Sequence, residues 1–228
     1  ASSDSSDKKM THSQYEQFCL FIRQLEENGV KIPLHHCDNS AGIIDVPEDS
    51  MDMVRAGISL YGMYPSDEVN KKSVMLSPAL SMKSHIIYLK EVDAGQGISY
   101  GSTFVTKRRT KVATVPVGYG DGYQRNLSNR GYVLIRGKKV NIIGRVCMDQ
   151  FMVDVTDLEE VCEGDEVTLI GTDGANTITT EELAELAGTF NYEFVCDLGK
   201  RVPRVYYHHG KIVCCKDYFE DDYIMQEA

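Results

Sequence analysis

The run VPVGYGDGY at residues 115–123 decides how the second half of this chain folds. It follows a segment rich in β-branched residues and places Tyr119 between two glycines. Glycine allows a tight turn and lets a backbone approach a ligand closely. Two comparable runs, ISYGSTF at 98–104 and RVCMDQ at 145–150, stand before and after it. Each alone is typical of an ordinary turn with a packed side chain, whereas three such clusters in one β-rich region favour a site.

The segments around these turns have the composition of short β-strands. Many short strands separated by glycine-containing turns, such as Arg136-Gly137-Lys138, are typical of a β-sandwich or barrel. Thr179 has capping-box spacing to Glu182 and predicts one helix that extends to Phe190. The predicted strands are 79–92, 111–117, 131–136, 139–144, 151–155 and 166–170, with a hairpin over 201–213 that turns at His209-Gly210.

The first 64 residues have the alternation of an α/β unit. Apolar residues at helical intervals begin after a capping-box spacing at Thr11 and end near Gly29. The apolar runs at 32–37 and 53–61 predict buried strands, and a weaker helix is predicted over 40–50 between them.

Together these patterns predict an α/β unit joined near residues 65–78 to a mostly-β domain. The length of 228 residues suffices for one large domain or two smaller ones. The opening ASSDSSDKK is not a signal peptide and lacks an initiator Met, so we expect a fragment or a trimmed product.

Composition and charge exclude several classes of protein. Lys and Arg number 24 against 34 Asp and Glu, which gives a net charge of −10. Nucleic acids and anionic lipids are bound by clustered cations, so neither partner is expected. No segment reaches the roughly 18 consecutive apolar residues of a membrane span. Seven cysteines without a C-x-x-C spacing predict reduced thiols and a cytoplasmic location.

Common catalytic and metal-binding motifs are absent from the sequence. It contains no G-x-G-x-x-G, G-x-x-x-x-G-K-[ST], H-E-x-x-H or G-x-S-x-G. The pairs His35-His36 and His208-His209 would face opposite ways on strands, so no metal site is expected.

Seven segments are HCDNSAG (36–42), MVRAGISLYG (53–62), ISYGSTF (98–104), VPVGYGDGY (115–123), IIGRVCMDQFMVDV (142–155), NYE (191–193) and RVPR (201–204). In this order they closely resemble the alanine racemase family, whose members are pyridoxal-phosphate (PLP) amino-acid racemases. Any one segment alone is weak, whereas the combination extends over nearly the whole chain and is highly specific.

The resemblance implies a two-domain fold, with an N-terminal (β/α)8 barrel that holds PLP and a C-terminal β domain. Residues 1–66 would be the end of that barrel, and residues 67–228 would form the C-terminal β-barrel or sandwich domain. The family's dimer is head-to-tail, so the resemblance implies a homodimer in which one subunit's barrel and the other's β domain build each active site.

Tyr100, in the run ISYG, matches the family's catalytic tyrosine, one of two bases that act on opposite faces of the substrate. Removing the α-proton from one face and returning a proton to the other inverts the carbon, while PLP withdraws electrons. A free phenol titrates near about pH 10, so a tyrosine base needs cationic or hydrogen-bonding neighbours. Without the resemblance, a buried hydroxyl with one hydrogen bond would be the expected role.

Five residues match the family's cofactor contacts. Arg55 matches the arginine that faces the PLP ring nitrogen, and His36 matches a histidine that hydrogen-bonds this arginine. Ser40, Gly57 and Ile58 match phosphate contacts, made through a hydroxyl and backbone N–H groups. A glycine at position 57 fits a place where a backbone approaches phosphate.

Two residues match the substrate side of the family's site, and two features depart from its pattern. Tyr119 would contribute its hydroxyl, and Met148 its backbone N–H near the substrate carboxylate. Lys200 stands just before RVPR, where the family often has a Tyr that contacts the phosphate. No lysine of this chain lies in a V-K-A-x-A-Y-G context like that of the family's PLP lysine, so we expect the chain by itself to be inactive.

The resemblance implies an isomerase that interconverts L- and D-alanine and supplies D-alanine for peptidoglycan. Because of Lys200, a serine racemase of the same family stays open, since one extra hydroxyl needs only a small change of pocket. A PLP-dependent basic-amino-acid decarboxylase also joins a barrel to a β domain, but the SYG, GYGDGY and CMDQ runs argue against it. The alternative outside enzymes is a β-rich binding module whose glycine turns are scaffold.

Overall fold

The computed structural model describes residues 2–219 and divides into two units, one ending at Leu80 and the other beginning at Ser81. Among the described residues, the first unit contains helices and irregular segments, and all strands belong to the second. The predicted mostly-β region is therefore confirmed, whereas the α/β alternation predicted for the first 64 residues is not, because no strand is found in the described part of that unit.

Helix α1 spans Lys9–Glu27 and confirms the first predicted helix. The capping role predicted for Thr11 is wrong, because the helix begins earlier, with Lys8 as N-cap, and the buried Thr11 hydroxyl finds no hydrogen-bond partner within residues 2–219. The helix ends near the predicted position. Gly29 follows with a φ of +82°, the left-handed conformation that commonly terminates helices.

The strands predicted at 32–37 and 53–61 are wrong. The described part of this unit contains no strand that could pair with either segment. The segment 53–61 ends in a 3-10 helix, Ile58–Tyr61. Ile32 and Leu34 are exposed. An apolar run forms a buried parallel strand only where neighbouring strands pair with it and helices cover it. The local sequence pattern carries no information about those neighbours.

The weaker helix predicted in the middle of the first unit is confirmed as α2, Ser40–Asp45. The Asn39 side chain caps it by accepting the backbone N–H groups of Ala41 and Gly42, both at 3.1 Å. A short 3-10 helix, Pro47–Asp49, follows. The cap fixes the conformation in which Ser40 enters the helix.

The second unit is built of antiparallel sheets, and the five predicted short strands are confirmed to within a few residues. The described strands are β1 Met82–His85, β2 Tyr88–Val92, β3 Gly97–Ile98, β4 Phe104–Val105, β5 Thr110–Val115, β6 Tyr132–Ile135, β7 Lys138–Asn141, β8 Phe151–Asp154, β9 Glu166–Asp173, β10 Asn176–Ile178, β11 Arg204–His208 and β12 Lys211–Lys216. They form sheets in the orders β1-β9-β6-β7 with β10 beside β9, β2-β5-β8, β3-β4 and β11-β12. These described strands close no barrel.

The single long strand predicted at 79–92 is wrong, because the chain changes sheets in its middle. β1 pairs with β9, whereas β2 pairs with β5. At the change, the Ile86 N–H donates to the Asp165 carbonyl at 2.9 Å, and the Ile87 N–H donates to the Thr114 carbonyl at 3.0 Å. The two adjacent residues thus bind to different places, Ile86 to the residue just before β9 and Ile87 to β5.

Both predicted hairpin turns are confirmed. Arg136 and Gly137 have φ values of +53° and +70° between β6 and β7, and His209 and Gly210 have +48° and +75° between β11 and β12. Two consecutive left-handed residues match the right-handed twist of the strands they connect.

Helix α3, Thr180–Ala187, begins at the predicted cap, where Thr179 Oγ1 accepts a backbone N–H at 3.1 Å. Its predicted extension to residue 190 is wrong, because Gly188 ends it with a φ of +77° and a separate helix α4, Asn191–Asp197, follows. Within residues 2–219, no helix combines the length and apolarity needed to cross a bilayer.

An aromatic cluster in the core of the second unit anchors the loop after β5. The Tyr123 ring is fully buried and stacks on Phe151, with the ring centroids 5.2 Å apart. The edge of Phe194 completes the cluster at 6.4 Å. Burying each such ring contributes about 1.5–3 kcal/mol, so the loop that carries Tyr119 starts and ends on a rigid support.

Candidate functional site

Ser40, the first residue of α2, lies against the segment 57–59 of the first unit. Its Oγ accepts the Gly57 N–H at 2.9 Å and the Ser59 N–H at 3.3 Å, and lies 3.0 Å from the Ser59 Oγ. Ser40 and Ile58 are almost fully buried. The structure therefore brings together the three residues predicted to contact phosphate.

The donor groups of this cluster fit a phosphate. Among residues 2–219, no oxygen accepts the backbone N–H of Ser40 or of Ile58. A Cβ added at Gly57 would meet only the Ser40 hydroxyl, at 3.8 Å, so there is open space beside this residue. Free N–H groups, a hydroxyl and open space are features with which proteins hold phosphates.

Arg55 is exposed, and both its backbone and its guanidinium donate to neighbouring carbonyls. Its backbone N–H donates to the Asp38 carbonyl at 2.9 Å, and its Nη2 donates to the Cys37 carbonyl at 2.8 Å. The expected hydrogen bond between His36 and Arg55 is not found among the described residues, and the buried His36 Nδ1 has no partner there. The role of His36 stays a prediction.

Cys37, beside this arginine, is unsuited to nucleophilic chemistry. Burial raises the pKa of its thiol to about 11, with a further contribution from the Asp38 carboxylate. Asp38 is itself buried and accepts the Ser50 hydroxyl at 2.6 Å. A thiol with a raised pKa stays protonated at neutral pH, and the thiolate is the reactive form.

Tyr100 projects from a strained turn in the second unit. It lies between Ser99 and Gly101, whose φ values are +62° and +71°. The Ser99 hydroxyl fixes the turn by donating to the Arg145 carbonyl at 2.8 Å, and the Arg145 guanidinium lies 3.4 Å from where a Gly101 Cβ would stand. Tyr100 is 72% exposed, so the ordinary role of a buried tyrosine does not apply to it.

Tyr119 is held by backbone contacts between two loops, 117–123 and 147–150. Its N–H donates to the Cys147 carbonyl at 3.0 Å, and the next residue, Gly120, donates to the Met148 carbonyl at 2.9 Å. With the backbone fixed in this way, the side chain of Tyr119 is left 43% exposed.

Tyr100, Tyr119 and Met148 line one pocket of about 870 Å³. The other lining residues include Cys147 and Gln150 of the loop 147–150 and Met152 of β8. No oxygen within residues 2–219 accepts the Met148 N–H, the group predicted to face a substrate carboxylate. The structure thus brings together the three predicted site residues of the second unit.

Lys200 contacts a tyrosine outside the family motifs. Its Nζ lies 5.2 Å from the centroid of the Tyr218 ring, and the Lys216 Nζ lies 4.2 Å from the same centroid. The hydrogen bond and charge of Lys216, helped by Lys200, lower the pKa of Tyr218. The position where the family often has a tyrosine therefore holds a cation directed at a different ring.

Reasoning from the sequence missed Arg145 and Arg201, which support the turns around the pocket. Arg201 forms ion pairs with Asp149 and Asp121. Signals in the sequence were the positions of these arginines in the segments IIGRVCMDQFMVDV and RVPR, and an acidic residue in each of the loops 117–123 and 147–150. In the described part of the chain, no group of three His, Cys, Asp or Glu side chains could hold a metal ion.

Comparisons with known proteins match both units. The family described as "Alanine racemase, N-terminal domain" matches residues 1–65, and "Alanine racemase, C-terminal domain" matches residues 79–206. The alanine racemase of Clostridium perfringens (strain SM101 / Type A) is 46% identical over 218 residues, which cover 96% of this chain and 56% of that protein.

Solved structures agree. The crystal structure of alanine racemase from Bacillus anthracis with bound L-Ala-P has a TM-score of 0.92 and 39% identity, over 97% of this chain and 57% of that one. Alanine racemase from Bartonella henselae with covalently bound pyridoxal phosphate has a TM-score of 0.75 and 31% identity, over 88% and 53%. The chain spans little more than half the length of the relatives it matches. With family matches over both units, this chain belongs to the alanine racemase family.

Proposed function

We propose that the protein carrying this chain is a PLP-dependent racemase that interconverts L- and D-alanine, with Tyr100 as one of two bases. The observation that carries the proposal is the pocket of about 870 Å³ in which the exposed Tyr100 stands beside Tyr119 and Met148. Family membership supports the reaction class, and the relatives with bound L-Ala-P and bound pyridoxal phosphate support the ligands.

The first unit would hold the cofactor. Ser40 would bind the PLP phosphate through its hydroxyl, and Ile58 through its backbone N–H, which no oxygen within residues 2–219 accepts. Gly57, the third predicted phosphate contact, would position the Ser40 hydroxyl, because its N–H donates to Ser40 Oγ at 2.9 Å. Arg55 would face the ring nitrogen, and its guanidinium, always protonated, would keep that nitrogen unprotonated. When bound, PLP supplies an electron sink that acidifies the substrate α-hydrogen.

The second unit would bind the substrate and move one proton. The phenol oxygen of Tyr100 would accept the α-proton on one face and return it in the reverse direction. The guanidinium of Arg145, against the neighbouring Gly101, supplies positive charge at this turn. The Met148 N–H, which has no acceptor in the described part of the chain, would donate to the substrate carboxylate, and the Tyr119 hydroxyl would orient the substrate.

The names of the relatives favour alanine over serine, and an enzyme over a binding module. The remaining features follow from the resemblance. They are a head-to-tail homodimer, a cytoplasmic location and supply of D-alanine for peptidoglycan. Sedimentation of the full-length protein tests the dimer directly.

The experiment that tests the function replaces Tyr100 by Phe in the full-length protein. Phenylalanine keeps the ring and removes only the hydroxyl, so PLP binding should persist. Resemblance assigns Tyr100 to the L-isomer, so exchange of the α-hydrogen of L-alanine in heavy water should fall by about 10²–10⁴-fold, far more than that of D-alanine.

Tyr207→Phe is the matched control, because Tyr207 is 66% exposed on β11 and does not line the pocket. Cofactor absorbance in each variant checks that PLP is bound. Equal loss of exchange with both isomers, or no loss, would remove Tyr100 from the role of base. A wild-type protein without alanine racemisation would overturn the proposed function itself.

A further inference from the structure

We propose that Arg201 is a positioning residue that holds together the two loops carrying the substrate-side residues, 117–123 and 147–150. Arg201 begins the RVPR segment, to which the reaction as described assigns no role. Its Nη2 lies 2.7 Å from Asp149 Oδ1, and its Nε lies 3.3 Å from Asp121 Oδ1. One guanidinium therefore bridges a carboxylate from each loop. This inference rests on the proposed function, in which those loops bind the substrate.

The Asp121 end of this bridge reaches into the loop that presents Tyr119. Asp121 is buried, and its second carboxylate oxygen accepts the Gly118 N–H at 2.9 Å. The carboxylate thus closes the loop across Tyr119 with one oxygen and binds Arg201 near the other. A shift of Asp121 would change the backbone on both sides of Tyr119.

The guanidinium also packs directly on this loop. A Cβ at Gly120 would lie 2.5 Å from Arg201 Nη1 and 3.0 Å from the Met148 carbonyl oxygen. The same glycine donates its N–H to that carbonyl at 2.9 Å. Arg201 therefore covers the point where the loops of Tyr119 and Met148 are joined.

We expect the Arg201 bridge to affect the positions of the two loops more than the overall stability of the fold. Two carboxylates that share one cation repel each other when that cation is removed. The Arg201 side chain is 45% exposed, so water screens much of the attraction and the global contribution is small. The position of a substrate-binding group is more sensitive, because misplacement by about 1 Å can cost about 10²-fold in rate.

Arg201 would act through other residues, since Tyr119, Met148 and Asp149 line the pocket whereas Arg201 does not. Its loss should weaken binding of either isomer of alanine in the same way. This differs from the loss expected at Tyr100, which is selective for one isomer. The two roles can therefore be separated by isotope exchange.

The test compares Arg201→Gln, Arg201→Lys and Arg136→Gln in the full-length protein. Arg136 is the matched control, because it pairs with Asp165 at nearly the same exposure, 41% and 15% against 45% and 11% for Arg201 and Asp121. Arg201→Gln should raise the KM for both isomers by about 10–100-fold and slow α-hydrogen exchange equally with each. Arg136→Gln should leave both quantities unchanged. Arg201→Lys should raise the KM less than Arg201→Gln, because an ammonium group can still pair with one of the two carboxylates.

Backbone hydrogen–deuterium exchange provides a readout that does not need activity. In Arg201→Gln the N–H groups of Tyr119 and Gly120 should exchange faster than in the wild type, and in Arg136→Gln they should not. Unchanged exchange of these groups together with an unchanged KM would make Arg201 an ordinary surface ion pair.

Asp149→Asn gives a second route if Arg201→Gln folds poorly. Asp149→Asn removes one of the two carboxylates that Arg201 bridges and keeps the shape of the side chain. Arg201→Gln should therefore raise the KM less in the Asp149→Asn variant than in the wild type. Fully additive effects would overturn the bridge. If the wild-type protein does not racemise alanine, the proposed function fails, and the amide exchange of loop 117–123 alone decides for or against Arg201.

Discussion

The amide N–H of Gly57 donates a hydrogen bond of 2.9 Å to the Oγ of Ser40, 17 residues away in the sequence. This bond ties the first turn of α2 to the segment before the 3-10 helix Ile58–Tyr61. It also occupies a lone pair of the hydroxyl, so the O–H of Ser40 is oriented away from Gly57. The geometry that would hold a phosphate thus depends on one side chain.

Ser40→Ala in the full-length protein should lower the affinity for PLP. The change removes a hydroxyl and leaves the N–H groups of Gly57 and Ser59 without their acceptor, a loss of about 1–3 kcal/mol. Equilibrium dialysis with PLP should show a Kd raised by about tenfold or more. Ser59→Ala is the control, since it keeps the Ser40 hydroxyl and should have the smaller effect. Equal affinities for the wild type and Ser40→Ala would contradict the assignment.

Gly118→Ala should separate the loops of the second unit. A Cβ at this position would lie 2.3 Å from the carbonyl oxygens of Cys147 and Met148, which are backbone atoms that cannot rotate away. We expect the free energy of unfolding to fall by about 1–3 kcal/mol, the usual cost of overpacking a filled site. Urea unfolding measures it. Gly199→Ala is the control, because its Cβ would meet nothing closer than 3.6 Å.

The short strands and hairpin turns of the second unit could largely be predicted because their composition is a local feature, whereas the pairing of β1 with β9, for example, joins residues far apart in the sequence. Hairpins such as β6–β7 connect neighbouring strands through turns whose two residues, Arg136 and Gly137, have a recognisable composition. The strand predicted at 79–92 failed at Ile86, since a change of sheet in mid-strand has no local signature. In the first unit, the apolar runs at 32–37 and 53–61 were predicted as strands because the spacing of apolar residues gives no information about partner strands.

The site could be predicted only in part. Tyr100, Tyr119 and Met148 were found through their motifs, and the structure gathers them around one pocket. The contact of Arg201 with Asp149 joins residues 52 positions apart, and no spacing rule predicts such a pair. The expected hydrogen bond between His36 and Arg55 is also not found among the described residues, because such a bond depends on side-chain orientation as well as on residue type.

Tyr123→Phe should stabilise the second unit. The hydroxyl of Tyr123 is fully buried and has no hydrogen-bond partner among the described residues, and burial raises its pKa. Removing an unpaired buried hydroxyl while keeping the ring stacked on Phe151 should add about 1 kcal/mol to the free energy of unfolding.

The control for this prediction has the opposite expected sign. Tyr132 is also buried, but its pKa is raised by burial and by the neighbouring Glu182 carboxylate, so Tyr132→Phe removes a hydroxyl that has a polar neighbour. It should lower the free energy of unfolding by about 1 kcal/mol. Urea unfolding of both variants at neutral pH decides, and destabilisation by Tyr123→Phe would mean that its hydroxyl is satisfied in solution.

Asp165→Asn should destabilise the protein in a way that depends on pH. The Asp165 carboxylate accepts Arg136 Nε at 2.9 Å and Nη2 at 3.1 Å, and also the Cys162 N–H at 3.0 Å. The Arg136 hydrogen bonds, followed by that of Cys162, lower the pKa of Asp165 to about 2. An unfolded aspartate titrates near about 3.9, so the folded state favours the ionised form.

The sign of the effect follows from these two values. A group with a lowered pKa in the folded state stabilises it fully above the unfolded pKa of about 4 and loses that contribution as the pH falls towards about 2. The difference in urea midpoint between the wild type and Asp165→Asn should therefore be constant from pH 5 to 7, shrink below about pH 4 and nearly vanish by about pH 2. Asp157→Asn is the control, because that carboxylate pairs with Arg108 at 79% exposure and should matter little at any pH. A difference for Asp165→Asn that persists undiminished at pH 2, or is absent at pH 7, would show that the Arg136 pair does not set the acid stability of this unit.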